Sequence, residues 1–408
     1  MEERGSMRRV AVIGNYQPRR CGIATFTADI VGALTAYAPA TDWPVIAMND
    51  IPTGYDYPPQ VRLMLDQDDL AAYRRGAAAI NASHADLVLL QHEYGIFGGP
   101  AGEHLLTLMR DLHVPVVTTL HTILREPNPE QRRVLEEIAR RSARVVTMSR
   151  LGAERLRTIY GVPAAKIATI PHGIPDVPLV DSAPYKAALG FGDRPLMLTF
   201  GLLSPGKGIE TVIAALPTIV ARYPDFAYLV VGATHPHVRS RDGEVYRDGL
   251  IAQATALGVG ANVIFDDRFL DLDDLVEHMA AADVYITPYL GREQIVSGTL
   301  AYTVGAGKAV ISTPYPYAEE LLAEGRGVLV PFGDSAAIAD NVLTLFDHPE
   351  ERQALRERAY RHGRRMIWPA VAGQYMRVFR AVLDDARVTR PHFVGPIAEV
   401  PVQTVVSP

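Results

Sequence analysis

The chain has 408 residues, 48% of them hydrophobic and 21% charged, and 40 Lys and Arg against 46 Asp and Glu leave a formal charge of −6. This is the composition of a soluble globular protein of two or three domains, at about 150 residues each, and its acidic balance gives no support to nucleic-acid binding. The single cysteine, Cys21, excludes an internal disulfide framework and any Cys-clustered metal site. No apolar run reaches the ~18 residues of a membrane span, and the N-terminus lacks a signal-peptide stretch, which predicts a cytoplasmic protein.

In chain order, short apolar runs at 9–13, 45–48, 61–65, 86–90, 114–120, 144–148 and 166–170 read as strands. Helical spacing lies between most of them, at 24–37, 69–82, 103–112 and 129–141. The second half repeats the theme, with strands at 196–200, 227–231, 263–265, 284–287, 309–312 and 328–330. Its helical stretches fall at 209–223, 244–257, 272–282, 298–305 and 335–346, followed by 350–364 and 370–385. Fully apolar strands interleaved with helices predict parallel sheets covered on both faces. Seven strands and then six exceed one doubly wound sheet. The fold class is therefore α/β, with two Rossmann-like parallel-sheet domains facing a cleft.

The parting point is 171–184, where four prolines make a semi-rigid connector. The expected division is a first domain at 1–175, a linker at 176–185 and a second domain at 186–365. A helix at 366–387 and an extended tail at 388–408 complete the chain.

Residues 201–208, Gly-Leu-Leu-Ser-Pro-Gly-Lys-Gly, sit between a strand and a helix and nearly spell a P-loop. Gly208 replaces the hydroxyl that would hold Mg²⁺, and Pro205 removes an amide from the cradle, so a P-loop is rejected. What remains is a glycine turn, Lys207 and a helix N-terminus, the parts of a generic anion site. The counterpart loop after the first strand carries Arg19, Arg20 and Gly22, where a glycine lets the backbone approach a ligand. Ser297, Gly298 and Thr299 open a later helix, and that geometry serves capping and anion binding alike. His92 with Glu93, His121 and His172 all follow strands, at the edge where ligands gather in open α/β sheets. The arginines at 132, 133, 140, 141 and 144 read as a solvated helix face in preference to a lipid contact. Asp271 reads as a helix N-cap.

Together these residues resemble the retaining glycosyltransferases of family 4, which have the two-domain GT-B architecture. The resemblance is strongest over 196–347. It rests on the glycine–lysine turn at 201–208, Gly307-Lys308-Ala309-Val310, Glu319-Glu320, Gly325, Gly327, Val330-Pro331 and Asp334. Gly22, His121 and Pro171-His172-Gly173 fit the first domain, and Trp368 the helix that crosses back onto it. The chain departs from the family at three points. Leu202 stands where an arginine helps hold the donor diphosphate, and Gln294 and Tyr302 stand where two glutamates contact the sugar and the ribose, with Glu293 adjacent.

The resemblance implies transfer of a sugar from a nucleotide-sugar donor to a hydroxyl acceptor, by a front-face retaining mechanism without metal or other cofactor. Lys207, His121 and Gln294 are the expected catalytic groups. Gly22, His172, Leu202, Glu293, Ser297, Gly298, Thr299 and Tyr302 are expected around the donor, and Arg19, Arg20, His92 and Glu93 on the acceptor side. Two alternatives stand beside it: a phosphorylase-like enzyme handling sugar 1-phosphate, and a GT-B binding protein without catalysis.

Overall fold

The computed structural model describes residues 7–389. All thirteen predicted strands form, in two wholly parallel sheets. The first has seven strands: β1 (Val10–Gly14), β2 (Val45–Asn49), β3 (Val61–Asp66), β4 (Leu87–His92), β5 (Val116–Leu120), β6 (Arg144–Thr147) and β7 (Ile167–Thr169). Their spatial order is β3-β2-β1-β4-β5-β6-β7. The second contains β8 (Leu196–Phe200), β9 (Ala227–Val231), β10 (Val263–Asp266), β11 (Val284–Thr287), β12 (Ala309–Ser312) and β13 (Val328–Leu329), in the order β10-β9-β8-β11-β12-β13.

The interior strands β1, β4, β5, β8 and β9 are buried at every position, because helices cover both faces of each sheet. Edge strand β3 instead alternates, with Arg62, Met64 and Asp66 exposed. Both sheets reverse strand order beside their first strand, between β1 and β4 and between β8 and β11. Those switch points place the loops after β1 and β8 at the ligand-binding edge of each sheet.

Four short helices, Arg150–Thr158, Ala183–Ala188, Pro236–Asp242 and Pro316–Leu322, fall outside the predicted ones. Ala183–Ala188 begins inside the predicted connector. The last helix runs Trp368–Thr389, so residues 388 and 389 belong to it, and the remainder of the expected tail lies outside the described residues. Its Trp368, Val371, Tyr375, Met376, Phe379 and Val382 complete an apolar core with Phe26, Ile30 and Leu34 of the helix Gly22–Tyr37. The chain thus crosses between the sheets twice, and the crossings bond to each other. Ile174 N donates to Met366 O at 3.0 Å, and Trp368 N to Ile174 O at 2.9 Å. Among the described residues no helix is long and apolar enough to cross a membrane.

One buried cation belongs to the scaffold. Lys308 is 1% exposed, and its Nζ donates to the carbonyls of Ala280 (2.8 Å) and Ala282 (3.1 Å), closing the end of the helix Leu272–Ala281. Burial lowers its ammonium to about 7, below the 10.5 of an exposed lysine. Above that value the folded state has shed a proton that the unfolded state still holds. Stability contributed at this site therefore grows as pH climbs from about 7 toward 10, by at most about 1.4 kcal/mol per pH unit. Denaturant titrations of wild type and Lys308→Met should diverge over that window, the variant lacking the rise. Parallel pH profiles would refute the assignment.

Candidate active site

A cleft of about 790 Å³ lies between the domains at the two switch points. Its second-domain wall is built by the loop after β8. Gly201 has φ +124°, and a Cβ on Gly232 beside it would lie 2.1 Å from the Gly201 carbonyl, so the two loops touch backbone to backbone. The loop turns through Pro205–Lys207 into Gly208, at φ +66°, and the helix Ile209–Arg222 follows. Lys207 Nζ donates to Tyr289 Oη at 3.0 Å and stands 4.1 Å from the centroid of that ring. Tyr289 Oη bonds Thr299 Oγ1 at 3.0 Å, and Thr299 in turn bonds Ser297 Oγ at 3.2 Å. The lysine is thereby tied to the N-terminus of the helix Gly298–Gly305. Ser297 Oγ accepts from Leu300 N at 3.3 Å, so it is the N-cap, and Gly298 and Thr299 face the cleft.

The first-domain wall is the helix Gly22–Tyr37, whose Gly22, Thr25, Phe26 and Asp29 line the cleft. A Cβ on Gly22 would meet nothing within 4 Å, which leaves open space over the helix end. Phe26 packs edge-on against His121 (4.8 Å), His172 (5.1 Å) and Trp368 (5.4 Å). Phe269, Leu270, Leu272 and Leu275 give the cleft an apolar flank, with Arg268 and Asp271 beside them. Arg268 there is ion-paired with Asp266 at 2.6 Å.

Of the residues expected to form the site, Gly22, His172, Leu202, Lys207, Gly298, Thr299 and Tyr302 are brought together in this cleft. His172 Nδ1 donates to the Gly173 carbonyl at 2.7 Å, and a Cβ on Gly298 would lie 3.1 Å from His172 Nε2. Burial holds the ring well below ordinary histidine, at about 4. His121 Nε2 bonds Gln91 Oε1 at 3.0 Å; burial, with smaller contributions from His172 and His92, lowers it to about 3. It stands against Phe26 and is not among the residues lining the cleft.

The remaining expected residues have other partners. Gln294 Nε2 donates to the Val296 carbonyl of its own loop at 2.9 Å, and it is not among the residues lining the cleft. Glu293 pairs at 2.7 Å with Arg155, a guanidinium 6% exposed in the first domain, and serves as an interdomain tie. Arg19 is 8% exposed and paired with Asp50 at 2.9 Å, and Arg20 lies over Phe269 at 5.9 Å. His92 is fully buried between Tyr94 and Phe97, and burial lowers it to about 3. Glu93 accepts from Tyr94 N (2.9 Å) and Thr122 Oγ1 (2.6 Å), while burial raises its carboxyl. The expected acceptor-side set is thus mostly internal structure. The basic helix Pro129–Arg141 is neutralised by its own pairs: Arg132 with Glu136, Arg133 with Glu103, and Arg140 and Arg141 with Glu137. Asp271 accepts from Asp274 N at 2.9 Å and is an N-cap.

Three cleft features escape the sequence reading: Tyr289, Asp29 and the apolar flank. Asp29 carried a signal, since Gly22, Thr25, Phe26 and Asp29 fall at i, i+3, i+4 and i+7 on one helix face.

Two parallel-sheet domains meeting across a cleft at their switch points, with a final helix returning to the first, define the GT-B architecture. The family model for glycosyl transferases group 1 matches residues 181–362, and that for glycosyltransferase family 4 matches 33–176. The chain belongs to this glycosyltransferase family. It is 29% identical to a phosphatidyl-myo-inositol mannosyltransferase of Mycolicibacterium smegmatis over 286 residues, 66% of this chain and 65% of that one. It is 26% identical to a D-inositol 3-phosphate glycosyltransferase of Corynebacterium glutamicum over 343 residues, 78% of each. The alignment with a GDP-mannose-dependent mannosyltransferase of M. smegmatis spans about half of either chain, 53% of this one and 50% of the relative, at 30% identity. Among solved structures, the Anabaena protein Alr3699/HepE in complex with UDP has the same fold (TM-score 0.72, 17% identity), covering 92% of this chain and 100% of that one. So does sucrose-phosphate synthase from Thermosynechococcus elongatus, with TM-score 0.74, 19% identity and coverage of 93% and 100%.

Proposed function

We propose that the protein transfers a glycosyl group from a nucleotide sugar to a hydroxyl acceptor, with retention and without a metal ion. The observation that carries this is the cleft itself: Lys207 and two helix N-termini at Gly22 and Gly298 share one cavity with the apolar flank at 269–275. Phosphate suits the first set, because backbone amides and an ammonium are preorganised for negative charge. A planar base suits the second. A sugar 1-phosphate would leave the apolar flank empty, which favours a nucleotide donor over the phosphorylase-like alternative.

In this reading, breaking the glycosyl–phosphate bond builds negative charge on the departing diphosphate. Lys207 and the helix end at Gly298 stabilise it, and the leaving phosphate takes the acceptor's proton on the same face. His121 and His172, held neutral, offer uncharged rings beside the cleft wall. The names of the relatives make a hexosyl donor and a polyol-type acceptor the first substrates to try.

Melting temperature measured with UDP- and GDP-sugars, sugar 1-phosphates and inorganic phosphate tests the proposal, because a ligand that binds only the folded state raises it with concentration. Stabilisation by a nucleotide sugar is expected. Stabilisation by phosphate or sugar 1-phosphate with no nucleotide response would establish the phosphorylase-like reading instead.

A further inference from the structure

Among the groups lining the cleft, Asp29 has no part in the scheme above, and its surroundings are unusual for an acidic side chain. It lies seven residues into the first-domain wall, on the face shared by Gly22, Thr25 and Phe26. Tyr302, from the second domain, donates its hydroxyl to Asp29 Oδ2 at 2.6 Å. No cation pairs with the carboxylate among the described residues, and Oδ1 has no hydrogen-bond partner there. Burial pushes the carboxyl up to about 6 in spite of the tyrosine's bond. One neutral donor returns little of what a carboxylate loses on leaving water, so the pair as it stands is a poor device for stability.

The charge also restricts what can come to Asp29. A carboxylate repels phosphate, which is served by Lys207 and the helix ends at Gly22 and Gly298; Asp29 and Tyr302 lie seven and four residues farther along those two helices. Neutral O–H donors are what a half-buried carboxylate with an open oxygen accepts best, and two neighbouring hydroxyls can engage both of its oxygens. We infer that Asp29, oriented by Tyr302, accepts hydrogen bonds from hydroxyls of the bound donor and makes the cleft selective for a ligand that carries them. The inference rests on the donor reading above. The hydroxyls belong either to the ribose of the nucleotide or to the sugar being transferred, and the choice of ligand separates the two.

The test is calorimetric titration of wild type, Asp29→Asn and Tyr302→Phe with UDP and GDP, their 2′-deoxy counterparts, and UDP-glucose and GDP-mannose. Asparagine keeps the shape of aspartate and an acceptor for Tyr302, so the fold is preserved. Loss of hydrogen bonds to a charged acceptor weakens binding roughly ten- to a hundredfold. If ribose is the source, Asp29→Asn loses that factor toward UDP or GDP and little toward the deoxynucleotide. If the transferred sugar is the source, the nucleotide alone binds normally and the sugar nucleotide is weakened. Tyr302→Phe leaves the carboxylate in place and should lose only a fewfold in either case. Equal losses in both variants toward every ligand would show that the pair only holds the domains together, and would overturn the inference. So would unchanged binding in Asp29→Asn. Failure of the wild type to bind any nucleotide would instead overturn the donor reading, and this inference with it.

Discussion

Replacing Lys207 with alanine should lower kcat/KM for nucleotide-sugar turnover by at least about a hundredfold, the usual effect of deleting one preorganised donor from a site where negative charge develops. The side chain is half-buried and bonded to Tyr289, so the deletion removes the ammonium without opening the core. The unliganded melting temperature should stay nearly constant while the rise produced by nucleotide disappears. A variant that keeps the full ligand-induced rise would mean that phosphate binds elsewhere. Tyr289→Phe is the informative companion: it keeps the ring under the ammonium and removes the hydroxyl that accepts from Lys207 and links it to Thr299. It should fall between wild type and Lys207→Ala, because the charge remains and only its placement loosens.

The second large effect is expected at Gly208. Its φ of +66° lies in the left-handed region, and a Cβ there would stand 2.1 Å from the Pro288 carbonyl. Alanine costs about 1–2 kcal/mol for the backbone conformation alone, and the collision with fixed backbone adds an overpacking cost of about 1–3 kcal/mol. The loop cannot yield freely, since Leu290 N is bonded to Gly206 O at 3.1 Å on its other side. Chemical denaturation should therefore show Gly208→Ala to be destabilised by about 2–5 kcal/mol. Lys207, one residue away, is carried off its tyrosine, so turnover falls as well. Gly206→Ala provides the stability comparison, because a Cβ there meets nothing within 4 Å. Equal stability of the two variants would show that the turn has more freedom than its contacts imply.

The sheets were legible from the sequence for a simple reason. Runs such as Val-Ala-Val-Ile-Gly in β1 and Leu-Val-Leu-Leu in β4 are apolar throughout, as a strand covered on both faces requires. The glycine loops were legible too, because a strand, a turn and a helix meet there in sequence. Short helices were not: Pro316–Leu322 has seven residues, too few for the 3.6-residue repeat to declare itself.

At the site, the residues whose place in the cleft was readable, such as Lys207 and Gly298, sit in their own strand-to-helix loops. Glu293 and Gln294 were not readable in this way, because other groups hold their side chains away from the cleft. Arg155, 6% exposed in the other domain, captures Glu293, and the loop backbone captures Gln294. The first competitor lies 138 positions away in the chain; the second is only two residues off, but a side chain folding back onto its own loop leaves no mark in the sequence pattern. Asp29 and Tyr302 are 273 positions apart, and only the meeting of two domains makes them a pair.

The return of the final helix has a consequence for how the protein is made. Phe26, Ile30 and Leu34 pack against Trp368, Val371 and Phe379, so the apolar layer on one side of the first sheet is completed by residues translated after the second domain. During synthesis the first domain must wait, with that layer uncovered, while the whole of the second is translated. Among the described residues, the apolar clusters of the second domain draw on nothing beyond Ile367, so that domain can fold as it emerges. The order of maturation is therefore the reverse of the order of translation. Nascent chains stalled before Trp368 should depend on chaperones that shield apolar surface, and a premature stop there should leave an aggregation-prone first domain beside a folded second one.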